Sequence, residues 1–132
     1  MKIFKILIVL TGLLPLALGL IAPVCSAAES GPALIKIYTS AETAEFLSLA
    51  KETLAALAAG KSSDVVTKLT DLETAWDDKE KILRPRDDGT WTLLDKTLDK
   101  AISALRGSRK DPKKGQTALE DLLKNLEQTT KP

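Results

Sequence analysis

Glu73, Asp77, Asp78 and Glu80 lie close together in the sequence, and Asp95 and Asp99 follow four residues apart. Carboxylates on adjoining helical turns are hard oxygen ligands, and such a set could hold a hard cation. Lys79, Lys81, Lys96 and Lys100 are interspersed among them, which is the pattern of a solvated helix face, and that is the preferred reading. A second group is Arg106, Arg109, Lys110, Lys113 and Lys114, with Asp111 the only acid among them. This basic elbow could touch anionic lipid or an acidic partner; the plainer alternative is an exposed loop whose cations favour a helix C-terminus. Trp76 and Trp91 are the third group. They could mark a ligand pocket or a partner-binding surface, but both fall at apolar helical spacing in a chain with few aromatics, so packing is expected of them.

The residue types that are missing exclude more than the present ones suggest. The chain has no histidine, and its one cysteine and one methionine are Cys25 and Met1. A Ser-His-Asp triad, a zinc site of the usual type and a carboxylate-histidine di-iron site therefore cannot be built. Gly89, Gly107 and Gly115 stand singly, so no glycine-rich loop can cradle a phosphate. A hydrolase working through an acid pair needs apolar surroundings to raise one pKa, and no pair is so embedded. No enzyme activity, no cofactor and no metal are expected.

These groups must be positioned by a single domain. The first 28 residues carry Lys2 and Lys5, then an apolar run from Ile6 to Val24, then Ser26-Ala27-Ala28. This is the pattern of an export signal cut near Ala28. Cys25 is preceded by Ala22-Pro23-Val24, which lacks the leucine and small residue of a lipoprotein signal, so it is expected to leave with the leader. The apolar run is long for a signal core, and an uncleaved anchor is the alternative. Either way the rest of the chain, residues 29–132, is expected outside the cytoplasm, periplasmic or secreted, or else held at the membrane by its leader. It would then contain no cysteine, so no disulfide could staple it. Of the 19 basic residues Lys2 and Lys5 belong to the leader, which leaves 17 against 18 acids. No bulk positive field recruits nucleic acid.

The remainder reads as four helices. Thr39-Ser40-Ala41-Glu42 matches a capping box, but a start near Pro32 would also bring Leu34, Ile35 and Tyr38 onto the first helix, and that earlier start is preferred. Phe46, Leu49 or Ala50, Thr53 or Leu54, and Leu57 form its stripe, and Gly60 ends it. Ser62 or Ser63 is the expected cap of the second helix. Its apolar positions are Val65, Leu69, Leu72, Trp76 and Leu83, and Pro85 stops it near Leu83 or Arg84. Arg86 to Gly89 is the turn. Thr90 is the expected cap of a third helix bearing Trp91, Leu94, Leu98, Ala101 or Ile102, and Leu105, closed by Gly107 in a left-handed conformation. Asp111 and Pro112 fit the cap and first position of a fourth helix with Leu119, Leu122, Leu123 and Leu126 inward. Gln128 to Pro132 should fray. With connections this short, the fold class is all-α, an antiparallel up-down-up-down four-helix bundle.

The final pair, Trp91 to Leu105, a short turn containing glycine and lysine, then Gln116 to Leu126, resembles the small periplasmic b-type cytochromes of four-helix fold. That resemblance implies haem held between a methionine on the first helix and a histidine on the last. This sequence supplies neither, so haem binding does not carry over. The leader helix and the tryptophans flanking the central turn are also similar to a bacterial family of membrane-tethered helical proteins of unknown function, which implies no activity. The function expected is that of an exported, non-enzymatic helical interaction module, monomeric or weakly dimeric, that meets another envelope protein or the membrane surface. The alternative is a small-ligand or hard-cation binding protein of the cell envelope.

Overall fold

The computed structural model describes residues 34–132, and the leader and its cleavage site lie outside them. The described residues form four α-helices: α1 (Ser40–Ala58), α2 (Ser62–Leu83), α3 (Asp88–Arg106) and α4 (Pro112–Thr129), with a 3-10 turn, Arg84–Arg86, between α2 and α3. The fold is all-α. None of the described helices is long and apolar enough to cross a membrane.

Contacts between neighbouring helices run in opposite order along the two. Glu42 at the start of α1 accepts from Arg86 beyond α2 at 2.9 Å, and Glu52 meets Lys68 at 2.6 Å. Arg106 at the end of α3 donates to Glu73 and Thr70 of α2 at 2.7 and 3.0 Å, while Asn125 of α4 reaches Thr97 of α3 at 3.4 Å. Consecutive helices are therefore antiparallel. Between them Phe46, Leu69, Leu72, Trp76, Trp91, Leu94, Leu98, Leu119, Leu122 and Leu126 are buried. They recur at three- and four-residue steps, the spacing that lays side chains along one face of a helix.

The helix ends correct several expectations. α1 starts at Ser40, not near Pro32, because the capping box wins: the Thr39 hydroxyl accepts from the Glu42 amide at 3.3 Å and the Glu42 carboxylate accepts from the Thr39 amide at 2.8 Å. Leu34 to Tyr38 is extended instead, and its amides find partners at the far end of the chain. Ile37 and Tyr38 both donate to the Thr129 carbonyl at 2.9 and 3.1 Å, and the Lys131 amide donates to the Tyr38 carbonyl at 2.7 Å. Thr130 thus forms an isolated parallel bridge with Tyr38, and Thr129 is fully buried. The expected fraying of Gln128 to Pro132 is overturned by this clasp. Buried backbone groups must be paired, and the segment before α1 pairs with the residues at the end of α4.

The cap of α2 is Lys61, with no side-chain hydrogen bond, rather than Ser62 or Ser63. Asp87, not Thr90, caps α3, its carboxylate accepting from the Thr90 amide at 2.8 Å; the earlier residue reaches the same free amide from outside the helix. Gly107 has φ −64° and ψ 166°, extended rather than left-handed. Crowding explains a glycine there, since a Cβ would lie 2.9 Å from the Ser103 carbonyl oxygen. Among the described residues the left-handed glycine is Gly60, φ 68°, after α1. Asp111 caps α4 and accepts from the Lys114 amide at 3.0 Å, with Pro112 in the first turn.

Candidate functional site

The two tryptophans are core residues. Trp76 and Trp91 are only 3 % and 2 % exposed, with their rings stacked at 4.0 Å and 16°. Phe46 tilts against Trp76 at 4.9 Å. The indole amide of Trp76 donates to Asp95 at 2.9 Å, which satisfies the one polar group the ring carries into the interior. Neither ring presents a face at the surface of the folded chain. Packing is their role here.

The acidic residues are spread among separate tasks. Asp95 is engaged by Trp76, Glu73 by Arg106, and Glu80 by Arg84 at 2.7 Å. Among the described residues no group of three or more acids converges as a metal site would require. Asp77 differs from the other shifted carboxyls among the described residues, Glu42, Glu52, Asp87 and Asp111, which are all shifted down. Its pKa is raised, first by partial desolvation and then by Glu73, Glu80, Asp95 and Asp78 around it. Glu73, Glu80 and Asp78 are neighbours on its own helix, whereas Asp95 joins them only when α3 folds back on α2.

The basic elbow divides. Arg106 turns away to the Glu73 and Thr70 side chains of α2 and serves the fold. Lys114 makes a 3.5 Å ion pair with Asp111. Arg109, Lys110 and Lys113 have no ion-pair partner among the described residues.

Arg109, Lys113 and Lys114 form one end of an open groove of about 720 Å³ between α3 and α4. Its middle is lined by small side chains, Ser103 and Ala104 from α3 and Thr117 and Ala118 from α4. The two helices are held close beneath it by Gly115, whose missing Cβ leaves room for Leu105. At the other end of the groove stand Asp99, Lys100 and Asp121.

Comparison with known proteins adds no identity. The chain matches no family model, no curated protein and no solved structure. Its function must therefore be argued from the groove and its charges.

Of the candidate residues named from the sequence, the structure brings Arg109, Lys113 and Lys114 to the groove. Lys110 lies beside it in the loop, and Arg106, Trp76 and Trp91 are elsewhere. Sequence reasoning missed Ser103, Ala104, Thr117 and Ala118. Their signal was present as small residues at matching positions on α3 and α4, but only the antiparallel pairing places them side by side.

Proposed function

We propose that the chain is an exported, non-enzymatic helical interaction module whose contact surface is the α3/α4 groove with the basic elbow at its end. The observation that carries this reading is the groove itself: a small-residue middle beside the cations Arg109 and Lys113, neither ion-paired among the described residues. Short lining residues let a partner's side chains approach closely, and free cations at one end fix its orientation. The leader with Lys2, Lys5 and the Ile6 to Val24 run supports a place in the envelope, either released there or held by the leader. The absence of histidine from the sequence supports a role without acid-base chemistry of the usual kind.

The test is a photoreactive amino acid at Thr117, in the middle of the groove, in cells that export the protein. Irradiation should give a discrete protein adduct, and the same group at Ser48 on the exposed face of α1 should give none. Failure of Thr117 to yield any adduct would end this reading. A second reading, a small-molecule carrier, is favoured by the volume alone, since about 720 Å³ falls within the range of ligand sites. Native mass spectrometry of the protein from its host would show such a ligand as a stoichiometric added mass.

A further inference from the structure

Charge is not spread evenly along the α3/α4 groove. At the elbow end are Arg109, Lys113 and Lys114, with Asp111 the single acid. At the opposite end are the carboxylates of Asp99 on α3 and Asp121 on α4, with Lys100 the single cation. Seven residues separate Lys114 from Asp121 along α4, which is about 10 Å of helix. The middle of the groove holds only Ser103, Ala104, Thr117 and Ala118. One end is thus net positive, the other net negative, and the centre is uncharged.

A two-fold axis through that centre would lay the negative end of one copy on the positive end of the other, twice over. A surface that is complementary to itself under such a rotation is what an isologous dimer requires. We infer that the groove's occupant is a second copy of this chain, docked antiparallel across α3 and α4. Asp99 and Asp121 of each copy then face Arg109 and Lys113 of the other. An unrelated acidic peptide would satisfy the elbow but set its carboxylates against Asp99 and Asp121. A bilayer surface of anionic lipid would meet the same repulsion at that end. The second copy satisfies both ends. Lys100 lies at the acidic end and weakens the match there, which predicts a modest, salt-sensitive dimer rather than an obligate one.

The inference rests on the groove being a contact surface and names its partner. Sedimentation of the protein recovered from exporting cells should show a monomer-dimer equilibrium that shifts to monomer as salt is raised. Asp99→Lys with Asp121→Lys makes both ends positive, and Arg109→Glu with Lys113→Glu makes both negative. All four side chains are exposed, so circular dichroism should be unchanged. Each variant alone should associate about tenfold or more weakly than the parent, since like charges now face each other. An equimolar mixture of the two should dimerise at least as well as the parent. The Thr117 photoadduct should have twice the mass of the chain. A monomer at about 100 μM, a concentration at which even a dimer of weak affinity would form, would overturn the inference. So would variants that dimerise like the parent, or a mixture that stays monomeric. An adduct with a different protein would also overturn it while leaving the interaction reading intact, and no adduct would end both.

Discussion

Gly115 of α4 sits directly against Leu105 of α3. A Cβ built at Gly115 would lie 2.5 Å from the Leu105 Cγ and closer still to its Cδ2. Gly115 is buried in the first half of α4, where glycine costs about 1 kcal/mol of helix propensity relative to alanine. The close crossing is what that cost maintains, and it sets the spacing of the two helices that wall the groove.

Gly115→Ala should destabilise the domain by about 1 to 2 kcal/mol, overpacking outweighing the gain in propensity. In a Leu105→Ala background the same change should become neutral or stabilising, because the atoms it strikes are gone. Urea unfolding of the two single variants and the double variant gives the coupling directly. Additive effects would show that the crossing tolerates a methyl group.

Truncating the stacked tryptophans should be severe. Trp76→Ala or Trp91→Ala is expected to cost about 3 to 5 kcal/mol, a large part of the roughly 5 to 10 available to a domain this size. Asp95→Ala should cost about 1 to 3 kcal/mol by leaving the Trp76 indole amide buried without a partner. Phenylalanine at position 76 in the Asp95→Ala background should recover part of that loss, since it removes the orphaned donor. Circular dichroism during urea unfolding measures all of these variants.

How far the sequence disclosed the fold can be seen at particular ends. The stripes Val65, Leu69, Leu72, Trp76 and Trp91, Leu94, Leu98 were legible because helical periodicity is local. So was the stop at Leu83, because proline acts on the turn before it. The start of α1 was misjudged because the apolar residues Leu34, Ile35 and Tyr38 fit a helix as well as an extended segment. The capping box sets the helix start at Ser40, and the segment before it is held by Thr129, more than ninety positions away, whose carbonyl takes both the Ile37 and Tyr38 amides. The elbow cations were legible as a group, but their division was not. Arg106 is withdrawn by Glu73 and Thr70 across the bundle, a contact no sequence spacing announces.

Acid titration should reveal Glu42. Its hydrogen bond from Arg86, then that from the Thr39 backbone, pulls its pKa down from 4.5 to about 2. A carboxyl whose folded pKa lies below its unfolded value binds protons more readily when unfolded. Its contribution is therefore complete above about pH 4.5 and is lost as pH falls toward about 2. Glu42→Gln should lower stability at neutral pH and flatten the acid limb of the stability curve across that window. The limb will not vanish, because Asp87 and Asp111, each accepting at a helix cap, are also shifted down. An unchanged slope between pH 4.5 and 2 would mean that Arg86 and Thr39 do not favour the ionised form.

The tyrosine in the terminal clasp makes a test of opposite sign. Tyr38 is 1 % exposed, and its hydroxyl has no hydrogen-bond partner. Burial, reinforced by Asp87, pushes its pKa up to about 12. A buried hydroxyl without a partner is a net cost of about 1 to 3 kcal/mol, so Tyr38→Phe should leave stability unchanged or raise it by about 1 kcal/mol. A loss greater than about 1 kcal/mol would show that the hydroxyl has a partner, an ordered water being the simplest.

The C-terminal residues should matter far more than a tail would. Deleting Thr129 to Pro132 removes the acceptor of the Ile37 and Tyr38 amides, the donor to the Tyr38 carbonyl, and the 2.9 Å contact between the Thr43 and Thr130 hydroxyls. It also uncovers Tyr38 and Thr43, both essentially inaccessible in the folded chain. With each lost hydrogen bond contributing about 1 kcal/mol and the exposed ring adding to it, the deletion should cost about 3 to 5 kcal/mol. Deleting Pro132 alone should be neutral, since it is exposed and follows the last clasp contact. Hydrogen exchange supplies an independent reading of the same contact. In the intact chain the amides of Ile37 and Tyr38 should exchange as slowly as those of the α1 interior, and in the deleted chain they should exchange at the rate of an open strand. A deletion costing less than about 0.5 kcal/mol, with Ile37 unprotected in both chains, would restore the picture of a frayed end. It would also detach the Leu34 to Tyr38 segment from the bundle.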